Sequence, residues 1–202
     1  MKLYYSKGAC SLAVRITIYE SGIPCEFEAV DLKTKQTETG ADFLQINPKG
    51  SVPALLLDNK EILTENTALQ QYISEAYKSS LLPSEDKFER YRVLEWLSFV
   101  STDLHKGCGP LFNAKLPQAI KDEFFVPALK NKISFLEQHL RNSQYLLGTH
   151  FTCADSYLFV VLSWLPHFKI DLAEWPDVAR YFADVKKRPS VQQALKEEGL
   201  SY

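Results

Sequence analysis

Apolar residues recur along this chain with two periods, and the change of period divides it. Leu3 to Ser6 is a short apolar strand stopped at Gly8. From Ser11, Leu12, Val14, Ile16 and Ile18 alternate, but Ala13, Val14 and Thr17 also fit helical spacing, and the stop at Ser21-Gly22 with Pro24 just beyond makes the segment a helix. Cys25, Phe27 and Ala29 then alternate with Glu26 and Glu28, the pattern of a half-buried strand. Two strands flanking one helix make a βαβ unit, so these strands are expected to run parallel. Residues 31–52 are polar and irregular. Ala54 to Leu57, the turn residues Asp58-Asn59, and Glu61 to Leu63 read as a hairpin. Ala68, Leu69, Tyr72, Ile73 and Ala76 mark one face of a following helix, with Glu65 in its first turn.

Past Ser79-Ser80-Leu81-Leu82-Pro83-Ser84, the best linker candidate, the period is helical. Phe88, Tyr91, Leu94, Leu97, Val100 and Leu104 predict a long helix ending near Gly107. Ile120, Leu129, Ile133, Leu136 and Leu140 predict a second, from about 118 to 141, kinked at Pro127. Thr152 to Asp155 has capping-box spacing ahead of Tyr157 to Leu162, a helix apolar on nearly every side and therefore buried. Pro176 opens a helix carrying Val178, Tyr181, Phe182 and Val185, and Ser190 to Leu195 forms the last, stopped at Gly199. The expected architecture is an α/β domain over 1–78, in the order β-α-β then β-β-α. A linker at 79–85 joins it to an all-α domain over 86–202.

Composition narrows the partners. The chain has 23 Lys+Arg against 25 Asp+Glu, a net charge of −2, and a phosphate-tracking surface would show a basic excess, so nucleic acid is not expected. At 46% hydrophobic and 24% charged residues it has the mix of a folded domain. Its start lacks the apolar run of a secretory signal, and Tyr157 to Leu165 is too short to span a bilayer. A cytoplasmic protein with no membrane partner is expected. The cysteines at 10, 25, 108 and 153 include no CxxC, which removes the zinc-ribbon and dithiol redox motifs, and their density does not suit a disulfide scaffold. No metal site is expected.

Cys10 is the residue to watch. It lies between a strand and a helix N-terminus, where unpaired amides and the macrodipole favour a thiolate. The plainer alternative is a small buried core cysteine, which also suits Cys25 and Cys153; Cys108, beside two glycines, reads as incidental. Glu65-Asn66 at a helix start fits simple capping, or a site for a free amino-acid moiety. Val52-Pro53 is ordinary strand-edge chemistry, or leaves backbone free to pair with an extended peptide. Lys35, within Lys33-Thr34-Lys35-Gln36, reads as a solvated loop lysine. His105 is too isolated for a metal pair with Cys108 and stands as a proton donor or hydrogen-bond partner. No glycine-rich phosphate loop, G-x-S-x-G or H-E-x-x-H occurs.

Six motifs run in order along the whole chain: Tyr5-Ser6-Lys7-Gly8-Ala9-Cys10-Ser11-Leu12-Ala13, Asn47-Pro48-Lys49-Gly50-Ser51-Val52-Pro53-Ala54-Leu55, Leu63-Thr64-Glu65-Asn66, Glu95-Trp96-Leu97, Leu104-His105-Lys106-Gly107, and Gly148-Thr149-His150-Phe151-Thr152-Cys153-Ala154-Asp155. Together they resemble a glutathione S-transferase of the bacterial beta class, with Cys10 and Leu104-His105-Lys106-Gly107 as the class-specific pair. The resemblance implies a thioredoxin-like domain that binds glutathione as co-substrate, a helical domain that lines the acceptor site, and a homodimer. It implies that Cys10 contacts the glutathione sulfur and can form a mixed disulfide with it, and that His105 hydrogen-bonds nearby. Val52 would pair its backbone with the cysteinyl part, ahead of a cis Pro53. Glu65 and Asn66 would hold the γ-glutamyl end, and Lys35 the glycyl end. Ser98, Thr102, Asp103 and Leu104 fall at site-lining positions, some reaching across the dimer. Asn66 departs from the Ser or Gly often found there, and Ser156 from the usual apolar residue after the capping Asp.

Three activities follow as expectations. The first is conjugation of glutathione to small, largely apolar electrophiles, accepted near Phe112, Trp164 and His167. The second is a glutathione-dependent thiol transferase or reductase with Cys10 as nucleophile. The third is non-catalytic binding of apolar ligands on the same fold.

Overall fold

Strand β1 (Lys2–Tyr5), helix α1 (Ser11–Ser21) and strand β2 (Glu26–Asp31) form the expected βαβ unit, with β1 and β2 parallel. A computed structural model describes residues 1–77 and 80–202; residue 78 and Ser79, the end of the expected first domain and the start of its linker, lie outside the described residues. Strands β4 (Ala54–Leu56) and β5 (Ile62–Thr64) make the hairpin, and β4 runs antiparallel beside β1. Helix α3 (Asn66–Ala76) follows.

The stretch read as irregular contains strand β3 (Gln36–Thr37) and helix α2 (Phe43–Ile46), with Asp42 capping α2 through the Leu44 amide at 2.9 Å. Elements of two and four residues are too short to display a period. The sheet order is β3-β2-β1-β4-β5. Leu3, Val14, Ile18, Leu55, Leu69 and Ile73 join the sheet to α1 and α3, while Tyr4, Val30, Phe43, Val52 and Ala54 form a second core with α2. Each fully buried aliphatic or aromatic side chain of this kind contributes roughly 1.5–3 kcal/mol. One alternation is reversed: Glu28, expected outside, is buried and accepts from Lys2 Nζ at 3.0 Å and Thr39 Oγ1 at 2.5 Å. Burial pushes its carboxyl up, but the Thr39 and Thr37 hydroxyls and Lys2 prevail and hold it at about 2.

The chain forms two compact units, residues 1–82 with 188–202, and residues 83–187. The second contains α4 (Phe88–Phe99), a π turn (Val100–His105) and α5 (Lys106–Phe112), so the helical run continues past Gly107. It also contains α6 (Gln118–Ile120), a π turn (Lys121–Phe125) and α7 (Val126–Leu140). The kink expected at Pro127 appears as this π turn. Proline lacks an N–H and crowds the carbonyl four residues back, and a local i→i+5 register absorbs both effects. Helices α8 (Cys153–Ser163) and α9 (Pro176–Lys186) complete the unit, and every residue of α8 is buried. Helix α10 (Pro189–Glu197), read with the helical half, packs on α1 in the first unit. There Glu20 accepts from Arg188 Nε at 2.7 Å and from Ser190, and Tyr19 donates to Glu197.

The capping box at the head of α8 is complete. Asp155 accepts from the Thr152 amide at 2.8 Å, the Thr152 hydroxyl at 2.9 Å, the Leu146 amide at 2.9 Å and the Tyr181 hydroxyl at 3.0 Å. Removing it orphans four buried donors, so Asp155→Ala should lower unfolding free energy by roughly 4 kcal/mol, with a smaller loss for Asp155→Asn. A shift of the urea midpoint at unchanged slope checks this.

Candidate active site

In the first unit the expected residues converge on the turn between β1 and α1. Ser11 Oγ accepts the Ser6 amide at 3.2 Å and donates to the Ser6 carbonyl at 3.3 Å, and Gly8 supplies the positive φ of 68° that the turn requires. Cys10 is the N-cap residue of α1 and half-buried; its thiol donates to the Val52 carbonyl at 3.4 Å. The helix N-terminus was expected to favour a thiolate there. Instead burial pushes the thiol up to about 11, outweighing the bonds from Asn66 and nearby amides, and the Glu65 carboxylate adds to the rise. Cys10 rests as a protonated hydrogen-bond donor.

Asn66 is buried at the start of α3; its amide donates to the Cys10 carbonyl at 2.7 Å and its oxygen accepts from Gln70 at 3.2 Å. The Val52–Pro53 peptide is cis, and among the described residues the Val52 N–H has no protein acceptor. Glu65 lies just before α3 rather than in its first turn, exposed, at φ 72° and ψ 120°. Such a conformation costs a side-chain-bearing residue on the order of 1–3 kcal/mol. Lys35 is not a solvated loop lysine: it is half-buried at φ 59°, and its ammonium donates to the Gly50 carbonyl at 2.7 Å, so the chain folds back over it.

Two neighbours escaped the sequence reading. Lys49 donates to Thr64 Oγ1 at 2.9 Å and Glu65 Oε1 at 2.6 Å, and Asn47 braces the loop through the Ser51 carbonyl at 2.7 Å. Both lie inside a quoted motif, but a lone Lys and an Asn before Pro carry no chemical signal of their own.

The other expected residues belong to the second unit. His105 is half-buried; its Nδ1 is 2.5 Å from the Tyr157 hydroxyl, and its ring meets Trp164 edge-on at 4.9 Å. Burial, with Lys106 adding to it, pushes its pKa down to about 4. At neutral pH it is an uncharged imidazole, which favours the hydrogen-bond partner over the proton donor of the two expected roles. Ser98 and Thr102 are exposed, and the Thr102 hydroxyl donates to the Ser98 carbonyl at 2.9 Å and to Asp103 at 3.0 Å. Asp103 is paired with Lys132 at 2.8 Å. Leu104 is 1% exposed, so its side chain is a core group with no surface to offer a ligand. Phe112 is exposed and meets Trp164 and Phe168 edge-on at 5.6 and 4.7 Å, while His167 lines a small cavity with Leu111 and Lys121. Cys108, read as incidental, is fully buried, whereas Cys25 is only half-buried. Among the described residues no cluster of His, Cys, Asp or Glu could hold a metal, and no helix is long and apolar enough to cross a membrane.

The first unit is a five-stranded mixed sheet with a thiol at the first strand–helix turn, a thioredoxin-like arrangement, and the second unit is helical. The profile of the glutathione S-transferase N-terminal domain matches residues 1–75, and that of the C-terminal domain matches residues 102–198. The chain is 41% identical to glutathione S-transferase GstA of Escherichia coli O157:H7, covering 99% of this chain and 100% of that one. A sphingomonad glutathione S-transferase, solved in complex with glutathione, superposes with a TM-score of 0.95 at 42% identity, covering both chains completely. The beta-class enzyme of Sphingomonas chungbukensis superposes with a TM-score of 0.94 at 42% identity, again over both whole chains. The chain belongs to the glutathione S-transferase family, among its bacterial beta-class members.

Two outcomes are expected, one from the backbone of Glu65 and one from the burial of His105. Glycine tolerates φ 72° without a Cβ, so Glu65→Gly should melt at or above the wild-type temperature, whereas Glu65→Ala keeps the strain and should not gain; thermal unfolding checks both. The native-state pKa of His105 lies below its ordinary 6.5, so its contribution to stability is fully present above 6.5 and lost as pH falls toward about 4. The His105 ring-proton resonance should titrate near pH 4, and Tyr157→Phe should change its shift.

Proposed function

We propose that the protein transfers glutathione to small, largely apolar electrophiles, with glutathione held extended along the first unit. The observation that carries this reading is Val52: its carbonyl accepts the Cys10 thiol while its N–H has no acceptor among the described residues. An extended peptide pairs with such a backbone as with a sheet edge. The γ-glutamyl end, a carboxylate beside an ammonium, suits the N-terminus of α3 and the Glu65 carboxylate. The exposed Lys49–Glu65 pair contributes little by itself, so a ligand displaces it at small cost. Lys35 suits the glycyl carboxylate. Family membership and the glutathione bound by the sphingomonad relative support the same reading.

In conjugation the glutathione thiol yields its proton to solvent and its sulfur bonds to the electrophilic carbon. With an aromatic halide, the carbon–halogen bond breaks and halide leaves. Cys10, protonated at neutral pH, supplies an S–H donor suited to an anionic sulfur. Within the second unit His105 is a neutral ring held to Tyr157, and the exposed Phe112, backed by Phe168, offers an apolar surface suited to an acceptor. Holding both reactants together accounts for much of the gain. A thiol transferase with Cys10 as nucleophile needs a thiolate, and burial disfavours one. The reading includes a cytoplasmic homodimer: Phe88 and Tyr91, adjacent and exposed on α4, offer an apolar face of the kind a second copy covers.

Cys10→Ala should keep aromatic-halide conjugation within about tenfold of wild type in kcat/KM. Treated with oxidised glutathione, wild type should gain one glutathionyl mass as the Cys10 sulfur displaces one glutathione from the disulfide, and the variant should gain none. Loss of all conjugation would favour the thiol transferase, and an adduct persisting in the variant would remove Cys10 as the reactive thiol. In the same assay Glu65→Gly, folded and stable, should raise the KM for glutathione about tenfold or more.

A further inference from the structure

A buried ionic group lies behind the Cys10 turn, and the chemistry above makes no use of it. Glu198 follows α10, and its side chain is wholly enclosed. Oε2 accepts the Gly8 amide at 2.9 Å, while Oε1 stands 3.5 Å from Arg15 Nη1 with no hydrogen bond to it. Arg15, on α1, is 2% exposed, its guanidinium held between the rings of Tyr5 and Phe27 at 4.2 and 4.1 Å from their centroids. Arg15 Nε and Nη1 also lack acceptors among the described residues. A buried pair with such open geometry is a poor source of stability, since the desolvation of both ions offsets their attraction. What it does achieve is to hold an amide two residues from Cys10. The chain end closes over the same place: Gly199, at φ 59°, turns the chain so that Leu200 and Tyr202 reach within 3.6 and 3.7 Å of where a Gly8 Cβ would stand.

We propose that Glu198 is a positioning residue: its carboxyl, backed by Arg15, pins the Gly8 amide and thereby sets where the Cys10 thiol sits. This rests on the reading that the Cys10 turn is part of the active site. Besides the Gly8 amide, the charged groups around the carboxyl are Arg15 from α1, Lys7 from the turn and Glu197 from its own helix, the last engaged by Tyr19. Burial dominates, and it pushes Glu198 up to about 7. Because this lies above the ordinary 4.5, the protonated group favours the native state below 4.5, and that contribution is lost as pH rises through about 7. The carboxyl accepts the Gly8 amide in both forms, more strongly when charged.

The test follows the Gly8 amide resonance against pH, the alkylation rate of Cys10 by iodoacetamide, and aromatic-halide conjugation, in wild type, Glu198→Gln and Glu198→Ala. In wild type the Gly8 resonance should titrate with a midpoint near pH 7, and in Glu198→Gln that titration should vanish. Glu198→Ala should change Cys10 alkylation and lower kcat by about tenfold with KM for the halide little changed. Glu198→Gln, which keeps an acceptor oxygen, should restore most of both. If Glu198→Ala does not fold, the wild-type titration and the Gln variant carry the test. A Gly8 titration that persists in Glu198→Gln, or folded variants whose Cys10 alkylation matches wild type, would overturn the proposal. A response of Gly8 and Cys10 without any change in kcat would uphold the positioning while removing the turn from the active site.

Discussion

The five residues between β1 and α1 satisfy only part of their backbone locally, the Ala9 amide donating to the Ser6 carbonyl at 3.0 Å, and their remaining polar groups need distant partners. A strand ends and a helix begins there, so carbonyls and amides of both are left over, and buried polar groups must find partners. They find them far along the chain. Asn66 takes the Cys10 carbonyl, Val52 offers its own carbonyl to the thiol, and Glu198 takes the Gly8 amide, across 56, 42 and 190 residues. The hydrogen bonds of the turn thus reach residues just before β4, at the start of α3 and just after α10.

Docking also sets the electrostatics, against the local signal. A helix N-terminus is worth about 0.3–1 kcal/mol to an anion. The rise of the Cys10 thiol from 9.0 to about 11 corresponds to roughly 3 kcal/mol in the other direction. Desolvation wins by its magnitude. It wins again at His105, which burial and Lys106 leave neutral, and at Glu198, where it outweighs Arg15, Lys7 and the Gly8 amide together. In all three groups burial shifts the balance toward the neutral form.

Irregular backbone is concentrated where polar groups must be presented. Glu65 keeps a positive φ although glycine would adopt it more cheaply, which leaves a carboxylate exposed beside the first turn of α3. The π turn at Val100–His105 ends on the histidine that meets Tyr157, and π turns of this kind recur at functional sites. The π turn before Pro127, by contrast, has a steric cause, the missing donor and bulky ring of proline.

The periods of 2 and 3.6 were enough to read the βαβ unit, the hairpin and the long helices, because side-chain burial imposes those periods whatever the distant partners are. The capping box at Thr152 and Asp155 was equally legible, since cap and acceptor are three residues apart. Glu28 was misread because its burial comes from Lys2 and Thr39, residues brought over it by the fold and not by its own strand pattern. Lys35, Lys49 and the docking of α10 were hidden for the same reason. By itself the sequence determined the longer elements, the order of the motifs and the family they spell. Only the tertiary structure decided that Cys10 rests as a thiol, that His105 is neutral and that Leu104 is core. Those properties depend on how much water and which distant groups surround an atom, and no local pattern contains that information.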